Sequence, residues 1–380
     1  MVEQVSELRQ LAGEKGMLMQ PQGKGSATTS APGLCLGRAG LFSTRNGFIT
    51  VDHTEKYLDG FRWKLGIATN PCVQYRKGRR CIYCGFLYHH DPVSPQNAGR
   101  VIRSILDSTD LQDINRLEIY VSGSFFDNDE VAAESRIEIL ESIQRTRIRE
   151  ILLESRPEFI TEENLRSISD IVDARRVTIG IGVETMNDAL RDALSKNFTT
   201  SELVRSMRVI AEAGMSFQAY LLLKPPAVIS EQEAVLDLLS SSDSIIELSR
   251  RMRIPLILAV QPFFFARNSV VAESASFWDA KPPWLYSVAL SLKLLTLLKA
   301  ARYPDLRIIL GNENDIVDPI LASSNYRSDG TICSCTENLR RSLVEINTSQ
   351  STMNEATGRI LDSQCDCKKI WEGLIGSGLR

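Results

Sequence analysis

Six short apolar runs, each followed by a helical pattern, constrain this chain more than anything else in it. They are WKLGIAT from Trp63, then LEIYVS, EILLES, VTIGIGVE, FQAYLLLK and PLILAVQPF. Each has strand length, and apolar residues run nearly continuously instead of alternating with polar ones. Strands that read this way are buried on both faces, as in a parallel sheet covered by helices. Helical patterns follow over 96–106, 129–146, from 161, over 187–194 and 201–213, from 230, and over 285–302. Thr161 with Glu162 and Glu163 supplies an N-cap and an acidic first turn, and S-E-Q-E from Ser230 has the capping-box pattern. LRIIL at 306–310 can add a last strand. Strand and helix alternating six times imply repeated right-handed βαβ units. The expected fold is α/β: a partial (β/α)6 TIM-type barrel over 61–311, with its chemistry at the C-terminal ends of the strands. Residues 1–60 read as an N-terminal extension, with a short amphipathic helix over 2–15 and a Gly/Ser/Pro-rich linker over 21–34. Residues 312–380 lack the βα pattern and read as a small Cys-rich subdomain.

Composition removes several classes. The chain has 380 residues, 43% hydrophobic, with 44 Lys plus Arg against 47 Asp plus Glu and a net charge of -3. A protein that binds nucleic acid through phosphate contacts alone is usually strongly basic, so RNA contact here is expected to be local. No secretory pattern opens the sequence, and no apolar run approaches the ~18 residues of a membrane span. The expected location is the cytoplasm, with no membrane partner. In a reducing compartment, grouped cysteines read as metal ligands before they read as disulfides. Seven of the eight cysteines are grouped, and Cys35 is a bystander.

Cys72, Cys81 and Cys84 form C-x8-C-x2-C just after the first strand. Three thiolates can hold three irons of a [4Fe–4S] cluster and leave the fourth open, whereas electron-transfer clusters normally use four cysteines. The competing possibility is zinc, with His89 or His90 as a fourth ligand. Cys333-x-Cys335 and Cys365-x-Cys367 follow in the tail, with 29 residues between the pairs. Four thiolates can close a zinc site or hold an auxiliary cluster.

A three-cysteine loop on the first strand of a βα repeat resembles the radical S-adenosylmethionine (SAM) superfamily. The longer loop and its I-Y-C-G ending resemble the branch that contains the Elongator catalytic subunit and the radical-SAM subunit of archaeosine synthase. YVSGSFFDNDEV, LLESRPEFITEEN, IGIGVETMNDALRDALSKNFT, AYLLLKPP and KPPWLYSV carry that likeness across roughly 60–375, with the two C-x-C pairs. The resemblance implies a [4Fe–4S] cluster that reductively cleaves SAM to a 5′-deoxyadenosyl radical, fed by an electron donor such as flavodoxin or ferredoxin. It further implies C–N cleavage of a lysine-modified 7-deazaguanine in tRNA, with a lysine-transferring partner subunit. The alternatives are a radical SAM enzyme tailoring a small molecule and a non-catalytic zinc-binding adaptor.

The strand ends then have a ligand to meet. Ser122, Gly123 and Ser124 follow the second strand, where small residues let a backbone approach and hydroxyls can bond an amino-acid moiety. Glu154 and Arg156 end the third, and an arginine can take a carboxylate bidentately. Glu184, after Gly180 and Gly182, is placed to accept ribose hydroxyls. Lys224 ends the fifth strand as a candidate substrate contact. Gln261 ends the sixth as a candidate adenine or substrate contact. Arg76, Lys77, Arg79 and Arg80 make the cysteine loop basic and suited to a polyanion or to the acidic face of a reductant.

Overall fold

The computed structural model describes residues 49–57, 60–85, 92–228, 230–266, 269–274, 281–311, 319–343 and 346–376. Strand β1 (Ile49–Tyr57) pairs antiparallel with β2 (Gly60–Ile67). A four-residue helix α1 (Val73–Arg76) interrupts the cysteine loop, and α2 (Ala98–Ser108) leads to β3 (Ile114–Tyr120). The alternation continues through α3 (Ala133–Gln144), β4 (Glu150–Glu154), α4 (Glu162–Ser169), β5 (Val177–Glu184), α5 (Asp188–Ala193), α6 (Thr200–Glu212), β6 (Ser216–Leu223), α7 (Glu231–Met252) and β7 (Leu256–Pro262). After β8 (Phe265–Ala266), α8 (Val270–Glu273) and α9 (Leu285–Arg302), β9 (Arg307–Leu310) returns to the sheet. The sheet order is β1-β2-β3-β4-β5-β6-β7-β9, parallel from β2 onward, and it curls into a half-barrel. Strand β8 pairs with β10 (Pro319–Leu321) in a separate ribbon, and α10 (Cys335–Arg341), α11 (Gln350–Leu361) and α12 (Asp366–Ile375) end the chain.

All six expected strands form, and residues 306–310 supply a further one. Hydrophobic burial on both faces explains why: Leu152, Leu153, Ile179, Ile181, Leu221, Leu258 and Val260 are almost fully excluded from solvent. Helix starts follow the capping chemistry. Thr161 accepts from the Asn164 amide, Asn187 from Ala189 and Leu190, and Ser230 from Glu233, while Thr199 forms a complete capping box with Glu202. The first half of α9, Leu285–Leu292, is buried all round, and α7 on one side and α10, α11 and α12 on the other pack against the helix. The tail therefore closes over a barrel helix.

Two features differ from expectation. Strand β1 lies within the stretch that reads as an extension yet forms the sheet's edge. Strands β2 and β3 are not apolar throughout: Trp63, Leu65, Leu117 and Ile119 join the helix-facing core, while Arg62, Lys64, Glu118 and Tyr120 line the barrel interior. Residues 1–48, with Cys35, the 2–15 helix and the 21–34 linker, lie outside the described residues, as do His89 and His90.

Candidate active site

The loop after β2 carries Cys72, Cys81 and Cys84 to the C-terminal mouth of the half-barrel. The Cys72 thiol caps α1 by accepting from the Tyr75 amide at 3.5 Å. Gly78, at φ +66, lets the chain turn back in the left-handed region. Ile82, between the other two cysteines, is fully buried; its amide donates to Leu194 and its carbonyl accepts from Val271. None of the three thiols is in a disulfide, and each is half-buried. Burial, then the neighbouring Cys81, pushes the Cys72 thiol up. Among the described residues, the metal-ligating group whose ligand atoms all fall within 4.8 Å of one another is in the C-terminal tail.

The end of β3 is fitted against this loop. Ser122 donates its amide to Thr69 Oγ1 and its hydroxyl to the Thr69 carbonyl, both at 3.0 Å. Glu130, fully buried, accepts from the amides of Gly123 (2.6 Å) and Ser124 (3.1 Å). Burial, against those amide bonds, lifts its carboxyl to about 8. A Cβ on Gly123 would lie 2.2 Å from Cys72 Cβ. Gly123→Ala is therefore expected to shift Cys72 and weaken iron loading by ~10–100-fold, the usual effect of disturbing the shell behind a ligand. Iron and sulfide titration of the variant, with far-ultraviolet dichroism to report folding, checks this.

The opposite wall comes from β4, β5 and the turn after α5. Lys196 Nζ donates to Glu184 Oε1 at 2.7 Å and to the Tyr83 hydroxyl at 3.2 Å, tying the wall to the cysteine loop. Burial opposes the charge on Lys196, but the Glu184 carboxylate and Cys81 outweigh it and raise its proton affinity. Arg156 donates to Glu158 at 2.7 Å and to the Lys196 carbonyl at 2.8 Å. Glu184, Ser195 and Asn197 have φ values of 64, 56 and 55, a strained region for residues with side chains that concentrates at functional sites. A Cβ on Gly182 would meet Lys196 Nζ at 2.5 Å and Glu184 at 2.7 Å, so the glycine makes room for this pair.

Between the walls lies a cavity of about 270 Å³. Its floor is charged. Glu118 accepts from Arg116 Nε and from the Tyr120 hydroxyl, both at 2.7 Å, and Arg62 lies 3.6 Å away. Burial opposes the charge on Glu118, yet Arg62, Arg116 and Lys64 hold it down to about 2. Glu154 has the opposite fate, because burial lifts it to about 8. With its native pKa above the unfolded value, the stability it contributes is present below about 4.5 and is lost as pH rises through about 8. Glu154→Gln, which keeps a donor, is expected to flatten this part of the decline in Tm between pH 5 and 8, measured beside the unsubstituted protein.

Nine expected residues line this one cavity: Cys72, Cys81, Cys84, Ser122, Gly123, Glu154, Arg156, Glu184 and Gln261. Ser124 does not; it is fully buried behind the wall, 2.6 Å from the Ser155 hydroxyl. Lys224 lies away from the lining, with Nζ 2.5 Å from Glu231 Oε1. In the basic loop, Arg76 binds Asp127 at 2.6 Å and Asp129 at 3.2 Å, and Arg80 faces Glu273 at 3.8 Å, while Lys77 and Arg79 are exposed. Sequence reasoning did not find Glu130, Lys196, Tyr83 or the floor residues. For the floor a signal existed: R-x-K in β2 and R-x-E-x-Y in β3 place charge at period two inside otherwise apolar runs.

No protein-family model matches the chain. An uncharacterized protein of Methanocaldococcus jannaschii is 28% identical over 81% of this chain and 80% of its own. Archaeosine synthase subunit beta of Methanosarcina acetivorans is 26% identical, covering 80% and 82%, and that of Thermococcus kodakarensis is 24% identical, covering 82% and 91%. Among solved structures, Elp3 of Methanocaldococcus infernus aligns at TM-score 0.47 and 10% identity over 70% of this chain and 60% of that one. Streptococcus suis SuiB bound to S-adenosylmethionine aligns at 0.46 and 10% over 64% of this chain, which spans about half of SuiB. The three-thiol loop stands at the mouth of the half-barrel in a chain that is similar to the two beta subunits along most of their length.

Proposed function

We propose that this chain is the radical-generating subunit of an archaeosine-type tRNA-modifying enzyme, acting on the C–N bond of a lysine-bearing 7-deazaguanine. The observation that carries the proposal is the likeness to two archaeosine synthase beta subunits over four-fifths or more of each. A subunit named beta supports a partner, here a lysine-transferring one, and a tRNA substrate would put the pair in the cytoplasm. With a net charge of -3 and two of the four loop cations facing acids of the same chain, most RNA affinity would come from that partner.

The donor set suits the cofactors. Cys72, Cys81 and Cys84 would hold a [4Fe–4S] cluster with one open iron, and SAM bound there would supply, on one-electron reduction, a hydrogen-abstracting 5′-deoxyadenosyl radical. The chain's own residues bind and orient. Ser122 and Gly123 let backbone approach the amino-acid end of SAM. Arg156 and Lys196 offer cations to its carboxylate, Glu184 accepts ribose hydroxyls, and Gln261 can meet the adenine. The charged floor at Lys64, Glu118 and Tyr120 suits the ammonium and carboxylate of a lysyl group. Lys77 and Arg79, exposed beside the thiols, suit the acidic face of flavodoxin or ferredoxin.

The test is an oxygen-free reaction of the reconstituted protein with SAM, reductant and tRNA, with and without prior treatment by a lysine-transferring subunit. The expected result is 5′-deoxyadenosine together with a formamidine nucleoside only in the lysine-bearing tRNA. SAM cleavage coupled to a free small molecule, with tRNA unchanged, would overturn the tRNA proposal. Zinc at the first loop with no SAM cleavage would leave the adaptor.

A further inference from the structure

Four cysteines in the tail take no part in the cavity. We propose that Cys333, Cys335, Cys365 and Cys367 hold a single zinc ion in a closed, all-thiolate tetrahedral site that staples the C-terminal segment onto α9 and, through Asn325 and Glu231, onto the β6 side of the barrel.

The sulfur spacing decides between the metal alternatives. Cys333 Sγ and Cys365 Sγ are 3.5 Å apart, Cys335 Sγ and Cys367 Sγ are 3.4 Å apart, and all four lie within 4.8 Å of one another. Four thiolates at ~2.3 Å from one ion stand about 3.8 Å apart. In a [4Fe–4S] cube each thiolate sits on its own iron, and in a [2Fe–2S] rhomb the two pairs are separated, so either would spread the set. Soft thiolates in a tetrahedron select zinc over the hard cations. With four protein ligands and Cys333 and Cys367 buried, no position is open for substrate, which is the mark of a structural site.

The surroundings supply what an all-thiolate site needs. Asn325 Nδ2 donates to Cys335 Sγ at 3.6 Å, and the Tyr286 hydroxyl lies 3.5 Å from Cys367 Sγ, so polar hydrogens soften the excess negative charge. The same groups run into the barrel. Asn325 Oδ1 accepts from the Leu285 amide at 3.1 Å, at the first residue of α9. One residue earlier, the Trp284 amide donates to Glu231 Oε2 at 3.1 Å, and the other oxygen of Glu231 holds Lys224. Trp371, on α12 beyond Cys367, donates its indole N–H to Ser287 Oγ at 2.8 Å. The K-P-P-W run, the K-P-P at the end of β6 and the two C-x-C pairs are thus parts of one network.

Metal analysis of the Cys72→Ala/Cys81→Ala/Cys84→Ala protein isolates this site without altering it. The expected content is one zinc and no iron per chain, with X-ray absorption giving four sulfurs at ~2.3 Å. Cys333→Ser in the same background should drop zinc and expose the tail to protease. Asn325→Leu, which leaves every ligand in place, should weaken zinc by ~10–100-fold in a chelator competition. Iron with inorganic sulfide retained in the triple variant, metal-free thiols, or disulfides among these four cysteines would each overturn the proposal. None of these readouts depends on the reaction assigned to the cavity.

Discussion

Alanine at Cys72, Cys81 or Cys84 is expected to reduce both iron–sulfur absorbance and 5′-deoxyadenosine formation to background while zinc in the tail is retained. On that proposal the effect would be total, because a cluster held by three thiolates already has one open iron. A two-ligand set cannot hold the cluster and present the same open position. The cysteines are also not interchangeable with other soft donors in place. Cys72 sits against Gly123, and Ile82 fixes the spacing of Cys81 and Cys84 by backbone bonds to Leu194 and Val271. Reconstitution of each variant with iron and sulfide, followed by metal analysis and product detection, checks this. Retention of cluster absorbance in any of the three would remove that residue from the ligand set.

The second large effect is on stability. Glu118→Ala is expected to destabilise the fold by about 3–5 kcal/mol, the usual consequence of removing one partner from a buried ionic set. Its carboxylate lies among Arg62, Lys64 and Arg116, and Arg116 is fully buried. Arg116 also binds Glu150 at 2.9 Å and Gln218 at 2.7 Å, so the network joins β3 to β4 and β6 across the barrel. Glu118→Gln keeps hydrogen-bond capacity toward Arg116 and Tyr120 and should lose less. The sign with pH follows from the direction of the shift. A carboxylate held down to about 2 contributes stability that is present above about 4.5 and lost as pH falls toward 2. Urea unfolding at neutral and acid pH should show that acid loss in the unsubstituted protein and little of it in Glu118→Gln. Equal midpoints for Glu118→Ala and the unsubstituted protein would make the floor dispensable for folding.

The strands and helix starts were legible because their determinants are local. A strand buried on both faces must be apolar almost throughout, and a helix start must find an acceptor for its first amides. The grouping of the three cysteines at one strand end was legible for the same reason, since they lie within thirteen residues of one chain segment. Lys196 was not legible. It is one of many lysines, and what distinguishes it is Glu184 at 2.7 Å and Tyr83 from a different loop. Glu130 was hidden inside an acidic run whose other members face solvent or Arg76, and only the fold aims it at the Gly123 amide.

Sequence by itself determined the order of strands and helices, the first thiol loop and the end of the barrel that would carry the chemistry. Those features are written in hydrophobic period, capping residues and short-range spacing. Tertiary structure alone decided which charges meet. It sent Lys224 to Glu231 and away from the cavity, and set Arg116 against Glu118, Glu150 and Gln218. It also brought four tail sulfurs, from pairs separated by 29 residues, within 4.8 Å of one another. The physical reason is that a buried charge or thiolate is stabilised by neighbours in space. In a parallel sheet those neighbours come from strands and helices far apart along the chain.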